Sequence, residues 1–292
     1  MWIVNKANEI IDDYSQEGYT LTLRQLYYQF VARALIENTE RSYKNLGAII
    51  TNARMAGMIS WYAIEDRNRS HHSYFFEEDE CRLLEDISYG ITFDRWDRQD
   101  HYIEVWVEKE ALGNVIQKAC SPLWVPHMAC KGYLSASEAW RAGRRFLKAI
   151  NRGQQCVLIH LGDHDPSGID MTRDNRSRLD IFTELPGEVE VIRLALNMDQ
   201  VDEYNPPPNP AKETDTRHKS YTELYGPTSW ELDALEPKVL EGLIESQIHQ
   251  YIDWDRWDAV EEMEEEKRTL LKLLPTHWDR VKRLLIGLNE EG

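Results

Sequence analysis

The sequence predicts an α/β protein in which helices lie both before and after a mostly parallel sheet. Three observations lead to this prediction. Apolar residues recur at helical spacing through the N-terminal segment, apolar strands alternate with helices in the middle of the chain, and helical patterns return near Glu236. Because the middle strands are continuous apolar runs, we expect a parallel sheet that helices cover on both faces.

The N-terminal segment 1–73 predicts a winged helix-turn-helix. Its elements are a helix at 3–14, a second helix opened by the capping pair Thr22 and Gln25, a third helix at 39–56 and a hairpin at 57–64. Three helices followed by a hairpin are a common way to place a helix in the major groove of DNA. A small helical domain that only packs against its neighbours is the alternative.

The middle segment 101–238 predicts the sheet. Its elements are strands at 103–107, 123–130, 155–161 and 189–194, with helices at 110–120, from Ser135 to Gly153 and from near Ser167. Strands and helices that alternate in this way form parallel sheets, and the catalytic groups of such sheets gather at the carboxyl ends of the strands.

Two further segments complete the predicted organisation. We expect residues 74–100 to be an acidic linker, because the stretch 74–104 holds ten acidic and three basic residues with little periodicity. We expect residues 239–292 to be a helical extension, with the acidic run 261–266 on a solvated helix face.

Length and composition are those of an ordinary globular protein. With 292 residues, 42% of them hydrophobic, the chain can bury a core large enough for two domains. No stretch approaches the roughly 20 apolar residues that cross a bilayer, and the first residues lack the layout of a signal peptide. The four cysteines include no C-x-x-C pair, which argues against a zinc site and a disulfide framework. These features predict a cytoplasmic protein.

The charge distribution bears on the choice of partner. A formal net charge of −17 opposes nonspecific binding to nucleic acid, because phosphates are neutralised by lysines and arginines at the contact surface. The segment 41–69 is nevertheless locally basic, with five basic residues against two acidic ones. Arg41, Lys44 and Arg54 in this segment are therefore candidate DNA contacts. Lys131, at the end of a predicted strand, is a fourth candidate, although a lysine that merely ends a strand is an equal alternative.

Acidic side chains follow two of the predicted strands. Glu108 comes directly after the strand 103–107, and Asp163 and Asp165 come just after the strand 155–161. Neighbouring carboxylates repel one another, so such a cluster needs a cation or a shared proton at neutral pH. Mg²⁺, or Mn²⁺ in its place, suits oxygen ligands of this kind. If the two strands are neighbours, the three carboxylates form a metal site; an acidic loop is the alternative.

Other polar residues near these strand ends have structural interpretations. Asp170 lies three residues after Ser167, a spacing typical of a cap at a helix start. Lys109 follows Glu108 directly and is interpreted as part of the cap of the next helix. Glu231 and Asp233 repeat an alternating acidic pattern. This is a weaker indication that they contact the metal-binding carboxylates without binding the metal themselves.

Four motifs together resemble a known family. VEKEA at 107–111, CKGY at 130–133 and GDHDPSGIDM at 162–171 resemble the Toprim domain, a Rossmann-like metal-binding fold of topoisomerases, primases and some nucleases. More narrowly, they are similar to the A subunit of topoisomerase VI and to its relative, the meiotic double-strand-break transesterase. The R-x-x-Y-Y form of that family's winged helix is matched by the residues from Arg24 to Tyr28. The resemblance covers roughly residues 20–235.

The resemblance implies a DNA-cleaving enzyme that consists of a winged helix and a Toprim domain. The second tyrosine of the pair, Tyr28, attacks DNA, and the carboxylates of Glu108, Asp163 and Asp165 hold Mg²⁺. In the family the tyrosine of one subunit meets the metal site of the other, so a homodimer is implied. The chain has no G-x-x-x-x-G-K-[ST] signature, so ATP-driven strand passage would require a separate ATPase subunit. One departure is Ser167, which stands where the family often has an aromatic residue.

The residues themselves favour Tyr28 over Tyr27 as the nucleophile. Tyr27 lies on an apolar helical stripe, whereas Tyr28 lies off that stripe and one helical turn from Arg24. A phenol with a pKa near 10 is almost entirely protonated at neutral pH, so a nucleophilic tyrosine needs a base or a cation beside it. Arg24 can stabilise a phenolate or hold the scissile phosphate. A surface tyrosine beside an arginine is the alternative.

Four functional hypotheses follow in order of preference. The first is a DNA-cleaving transesterase that uses Tyr28, and the second is a hydrolytic Toprim nuclease in which water attacks. The third is a DNA-binding or assembly protein with a degenerate site. The fourth, a phosphatase of the haloacid dehalogenase type, ranks last because its Asp-x-Asp motif would normally open the domain.

Overall fold

The structure is a computed structural model that describes residues 1–65 and 79–290. The helices are α1 (Trp2–Gln16), α2 (Leu23–Ala32), α3 (Glu40–Met55), α4 (Glu80–Gly90), α5 (Gly113–Cys120), α6 (Ala136–Ile150), α7 (Pro166–Thr183), α8 (Met198–Tyr204), α9 (His218–Tyr225), α10 (Pro237–His249), α11 (Trp254–Leu271) and α12 (Leu274–Glu290). The strands are β1 (Leu21–Thr22), β2 (Ile64–Glu65), β3 (His101–Val107), β4 (His127–Ala129), β5 (Gln155–Leu161), β6 (Val189–Ala195), β7 (Asn209–Pro210) and β8 (Thr228–Ser229). Short 3-10 helices lie at Glu110–Leu112, Ser121–Leu123 and Leu232–Ala234.

The chain forms two compact units, and neither is continuous in sequence. The first comprises Met1–Arg69 and His101–Tyr251, and the second comprises Ser70–Asp100 and Ile252–Gly292. The predicted boundaries do not coincide with these units, because the N-terminal helices and the sheet belong to one unit. Residues 66–78, which include the end of the predicted winged helix and the start of the predicted linker, lie outside the described residues.

A four-stranded parallel sheet forms the centre of the first unit. Its strands lie in the order β4-β3-β5-β6 and all pairs are parallel. In β5 every residue after Gln155 is buried, as expected of a strand covered on both faces. On one face, Phe146 of α6 and Leu179 of α7 join a core with Trp106 and Leu158 of the strands. The sheet confirms the predicted α/β class.

The order of the strands brings two predicted site residues together. β3 and β5 are direct neighbours, and Val107 pairs with Leu161 in the last register position of the two strands. Parallel neighbours end at the same edge of a sheet, so the residues that follow these strands are adjacent. Glu108 follows β3, and Asp163 follows β5 after one glycine.

The N-terminal helices pack around an apolar core of their own within the first unit. Leu26 and Phe30 of α2 are fully buried against Ile10 of α1 and Ile50 of α3. The predicted capping pair opens α2, because Oγ1 of Thr22 accepts the N–H of Gln25 at 3.2 Å and the N–H of Thr22 donates to Oε1 of Gln25 at 2.8 Å. The three predicted helices are therefore confirmed.

The predicted hairpin at 57–64 is wrong. Within the described residues, 57–63 contain no strand, and Ile64 instead pairs in parallel with Leu21 of β1. Arg54 accounts for part of this difference, because its guanidinium donates to the carbonyl oxygens of Trp61 (2.8 Å) and Ile64 (3.3 Å). The segment 57–64, which resembles a hairpin in the sequence, is thus held by hydrogen bonds from the side chain of Arg54.

The second unit consists of α4, α11 and α12. The predicted linker contains α4, which Asp79 caps by accepting the N–H of Cys81 at 2.9 Å. Glu80 at the start of α4 accepts from Lys282 of α12 at 2.9 Å. Within the acidic run of α11, Glu264 is buried and accepts from Arg268 at 2.6 Å, so this face is not uniformly solvated.

Membrane insertion was not expected from the sequence. In the described ranges the structure contains no helix whose length and apolar character would allow it to cross a membrane.

Candidate functional site

Glu108 and Asp163 meet at the carboxyl edge of the sheet. The backbone N–H of Asp163 donates to Oε2 of Glu108 at 2.9 Å, and the N–H of Glu108 donates to the carbonyl of Leu161 at 2.9 Å. The two carboxyl groups are buried, with exposed fractions of 9% and 7%. The structure thus brings together two of the three predicted metal ligands.

Burial and mutual repulsion disfavour charge on both carboxyl groups. Burial raises the pKa of Glu108, the N–H of Asp163 lowers it, and the charge of Asp165 raises it again. Burial raises the pKa of Asp163 to about 7; Lys109 opposes this rise and the charge of Glu108 adds to it. The pair therefore needs a cation or a shared proton at neutral pH, as the sequence predicted, and Lys109 lies 2.9 Å from Asp163.

Arg193 of β6 holds the loop that carries Asp163. Its guanidinium donates to the carbonyl oxygens of Gly162 (3.0 Å), Asp163 (2.7 Å) and Gly168 (2.9 Å). Burial lowers the pKa of Arg193 to about 10, so the side chain remains charged at neutral pH. Sequence reasoning missed this residue, because an arginine inside a strand gives no local signal of a distant loop.

Replacing Gly168 tests how tightly this loop is packed. A Cβ at this position would lie 2.2 Å from the carbonyl oxygen of Asp163, so the backbone would have to move. We expect Gly168→Ala to lower the free energy of unfolding by about 2 kcal/mol or more, measured by urea denaturation. The control Gly242→Ala lies in α10 with nothing within 4 Å, and we expect it to stabilise the protein by about 0.5–1 kcal/mol. Equal stability of the two variants would contradict a packed loop.

Asp165 forms the N-cap of α7. Its Oδ1 accepts the N–H of Gly168 at 2.6 Å and the hydroxyl of Ser167 at 2.9 Å. The predicted capping role of Asp170 is therefore wrong, and its carboxylate instead accepts the hydroxyl of Tyr133 at 2.7 Å. The reason is that Pro166 takes the first helical position, which places the cap one residue before it.

Lys109 joins three carboxylates from two parts of the chain. Its ammonium lies 2.9 Å from Oδ1 of Asp163, 2.7 Å from Oε2 of Glu231 and 2.8 Å from Oδ1 of Asp233. Burial lowers the pKa of Lys109, but these carboxylates raise it further, above its usual value, so the ammonium stays charged. Lys109 does occupy the N-cap position of the 3-10 helix Glu110–Leu112, as predicted, but its side chain makes no capping hydrogen bond and instead pairs with these carboxylates.

Arg24 connects α2 to the same carboxylates. Its guanidinium pairs with Glu231, and its Nε lies 3.1 Å from Oδ2 of Asp233. Burial would raise the pKa of Glu231, but Lys109, Arg24 and a hydrogen bond from Tyr28 lower it to about 2. The alternating acidic pattern in the sequence indicated Glu231 and Asp233. It did not indicate that both carboxylates pair with Arg24 and Lys109.

Tyr28 is buried, which differs from the prediction that it lies free of the core. Both Tyr27 and Tyr28 are 4% exposed, and Arg24 lies 5.9 Å from the ring centroid of Tyr28. Tyr28 and Glu231 both line a cleft of about 300 Å³. Burial, then Asp233 and Glu231, raise the pKa of Tyr28, and Arg24 lowers it in part. Tyr28 therefore meets the acidic cluster of its own chain.

The four candidate DNA contacts differ in their availability. Arg41 and Lys44 are exposed on α3, and Lys44 pairs with Glu40 at 2.7 Å. Lys131 is exposed and pairs with a glutamate at 2.7 Å. The guanidinium of Arg54 already donates hydrogen bonds to two backbone carbonyl oxygens. Three of the four side chains are thus positioned at the surface.

The three predicted metal ligands also form hydrogen bonds within the protein. Each of the three predicted ligands receives a hydrogen bond from a backbone N–H of the protein. Among the residues 1–65 and 79–290, no group of three His, Cys, Asp or Glu side chains is placed to hold a metal ion. Oxygen ligands of this kind are those that Mg²⁺ prefers. The three-carboxylate metal centre therefore stays a prediction.

The fold and the site define an α/β protein whose parallel sheet has an acidic carboxyl edge. Comparisons of the chain with family models, with characterised proteins and with solved structures gave no match. The resemblance to the topoisomerase VI A subunit therefore remains a prediction that depends on the motifs.

Proposed function

We propose that this protein cleaves DNA by transesterification, with Tyr28 as the nucleophile. The observation that carries the proposal is the convergence of Tyr28 and Arg24 on the acidic edge of the sheet. Lys109 links the carboxylates beside Tyr28 to Asp163, which lies next to Glu108. A candidate nucleophile, cations for a phosphate and paired carboxylates are thus connected within one chain.

The proposed reaction is a single displacement at phosphorus in which the phenol of Tyr28 loses its proton. The phenolic oxygen forms a bond to phosphorus as the bond from phosphorus to one deoxyribose oxygen breaks. The phenolic proton passes to water and the leaving oxygen takes a proton from water, because Glu231, whose pKa is lowered to about 2, is too weak a base to accept it. Arg24 pairs with the phosphate, since a guanidinium favours phosphate oxygens. The raised pKa of Tyr28 makes this transfer to water necessary.

We further propose that cleavage requires Mg²⁺ or Mn²⁺. The support is the oxygen chemistry of Glu108, Asp163 and Asp165, together with the raised pKa values of the first two. The proposal also includes a homodimer and a separate ATPase subunit. Both are supported only by the resemblance to the topoisomerase VI A subunit.

Hydrolysis by water is the second candidate. It is favoured by the burial and the raised pKa of Tyr28, both of which oppose attack by its phenolate. In this case the same carboxylates serve the reaction and Tyr28 is structural. The products would carry free ends instead of a tyrosyl-phosphate bond.

The test is a search for covalent adducts on supercoiled DNA. The full-length protein is incubated with the DNA in Mg²⁺ or Mn²⁺, stopped with detergent and run on gels with and without protease. We expect cleaved DNA that enters the gel only after protease treatment, and no cleavage in EDTA. Cleaved DNA with free ends would establish hydrolysis, and intact DNA would reject both candidates.

A matched pair of variants ties cleavage to the carboxyl edge. Asp163→Ala removes a carboxylate bonded to Lys109 and to the N–H of Leu232, so we expect it to abolish cleavage. Asp170→Ala removes a carboxylate seven residues further on that is bonded to Tyr133. We expect this second variant to retain cleavage, and loss of activity in both would indicate a general structural effect.

A further inference from the structure

The cleft beside Tyr28 has a lining unlike that of the carboxyl edge. Its volume is about 300 Å³, which is at the lower end of the range for ligand pockets. Aromatic rings, amides and one guanidinium make up most of the lining: Tyr27, Tyr28, Tyr43, Asn38, Asn209 and Arg24. The cleft therefore combines flat apolar faces and fixed polar groups with one cation and the two carboxylates of Glu40 and Glu231.

Hydrogen bonds and ring contacts keep this lining in place. The ring of Tyr27 meets that of Tyr43 edge to face, with centroids 5.3 Å apart. The hydroxyl of Tyr27 donates to Oδ1 of Asn38 at 3.0 Å, and Nδ2 of Asn38 donates to Oδ1 of Asn209 at 2.7 Å. An amide has two N–H donors and an oxygen with two lone pairs, so these bonds leave capacity for a ligand.

We propose that the cleft binds one nucleotide of the DNA substrate, with its base against Tyr43 and its phosphate toward Arg24. Aromatic rings stack on the faces of bases, and amides bond to base edges in pairs of donor and acceptor. The side chain of Arg24 is 46% exposed although it pairs with Glu231 and Asp233, so a phosphate in the cleft can reach it. This inference rests on the proposed function, because it names the substrate that the same site takes.

The size of the cleft determines the form of the DNA. A base inside a duplex is stacked on both sides, so it cannot enter a cleft of about 300 Å³ without leaving the stack. The nucleotide must therefore be single-stranded, mismatched or flipped out of the helix. The substrate class is DNA with an unpaired nucleotide at or beside the cleaved bond.

Binding measurements can test this without cleavage. The wild-type chain is titrated in EDTA, and again in Ca²⁺, with oligonucleotides that contain 2-aminopurine: a single strand, a matched duplex and a duplex with one unpaired 2-aminopurine. We expect the single strand and the unpaired duplex to bind at least about tenfold more tightly than the matched duplex, with 2-aminopurine fluorescence quenched on binding. Equal affinity for the three DNAs would overturn the inference.

Variants of Tyr43 separate the aromatic face from general packing. Tyr43→Leu keeps apolar bulk against the helical core but removes the ring, and we expect about tenfold weaker binding of the single strand. Tyr43→Phe keeps the ring, and we expect it to bind like the wild type. Tyr62→Leu is the control, because Tyr62 is 93% exposed and lies outside the cleft. Wild-type affinity of Tyr43→Leu would overturn the inference.

The outcomes for the inference and for the proposed function are distinct. If unpaired DNA binds through Tyr43 but is never cleaved in Mg²⁺ or Mn²⁺, the inference stands and the proposed function fails. If DNA is cleaved while its binding is independent of Tyr43 and of pairing, the proposed function stands and the inference fails. Absence of binding to all three DNAs rejects both.

Discussion

The Tyr28→Phe variant is expected to form no covalent adduct and to cleave DNA at least about 10³-fold more slowly than the wild type. The reason is that Tyr28 lines the cleft beside Arg24, which lies 5.9 Å from its ring centroid, and that its phenolic oxygen is the proposed nucleophile. The change removes one oxygen and leaves the buried ring. Adduct formation and cleavage rate, measured on the same gels, report the effect.

Tyr27 offers a closely matched control for this variant. It is buried to the same degree as Tyr28, and its hydroxyl bonds to Asn38 and to the carbonyl oxygen of Thr39. We expect Tyr27→Phe to keep forming adducts. Cleavage by Tyr28→Phe at the wild-type rate, with free ends, would refute the transesterase and leave hydrolysis.

Loss of the ammonium of Lys109 is expected to be the most destabilising single change at the site. Lys109→Met leaves Asp163 without this cation and leaves Glu231 and Asp233 with Arg24 alone. Removing one partner from a buried ion pair costs about 3–5 kcal/mol, since the remaining charge is uncompensated. We expect a loss of this size in the free energy of unfolding, measured by urea denaturation.

Two further variants examine the cause of that loss. Lys44→Met removes an exposed lysine paired only with exposed Glu40, and we expect no measurable change. Adding Asp233→Asn to Lys109→Met removes one of the uncompensated charges, and we expect it to recover part of the lost stability. If Lys109→Met were as stable as the wild type, the ammonium would not be what holds these carboxylates together.

Much of the fold could be predicted because its signals are local. The continuous apolar run of β5 and the capping pair at Thr22 indicate their elements without knowledge of the rest of the chain. The predicted hairpin failed because its alternative depends on Arg54, whose bonds to Trp61 and Ile64 form only in the folded chain. The acidic composition of the predicted linker likewise concealed α4.

The site could be predicted in part, for the same reason. Glu108 and Asp163 were identified because strand ends and parallel order place them at one edge. The roles of Lys109 and Arg193 could not be inferred, because both depend on partners brought close by the fold. The burial of Tyr28 also depends on tertiary packing, and the helical periodicity of α2 does not predict which side chains other elements cover.

The second unit has a consequence for the order in which the chain acquires structure during synthesis. α4 is translated before the sheet, whereas its partners α11 and α12 are translated after it. A helix of 11 residues is marginal by itself in water. The contact of Glu80 with Lys282 therefore has to wait until α12 has been translated. The sheet, in contrast, has all of its strands well before that point.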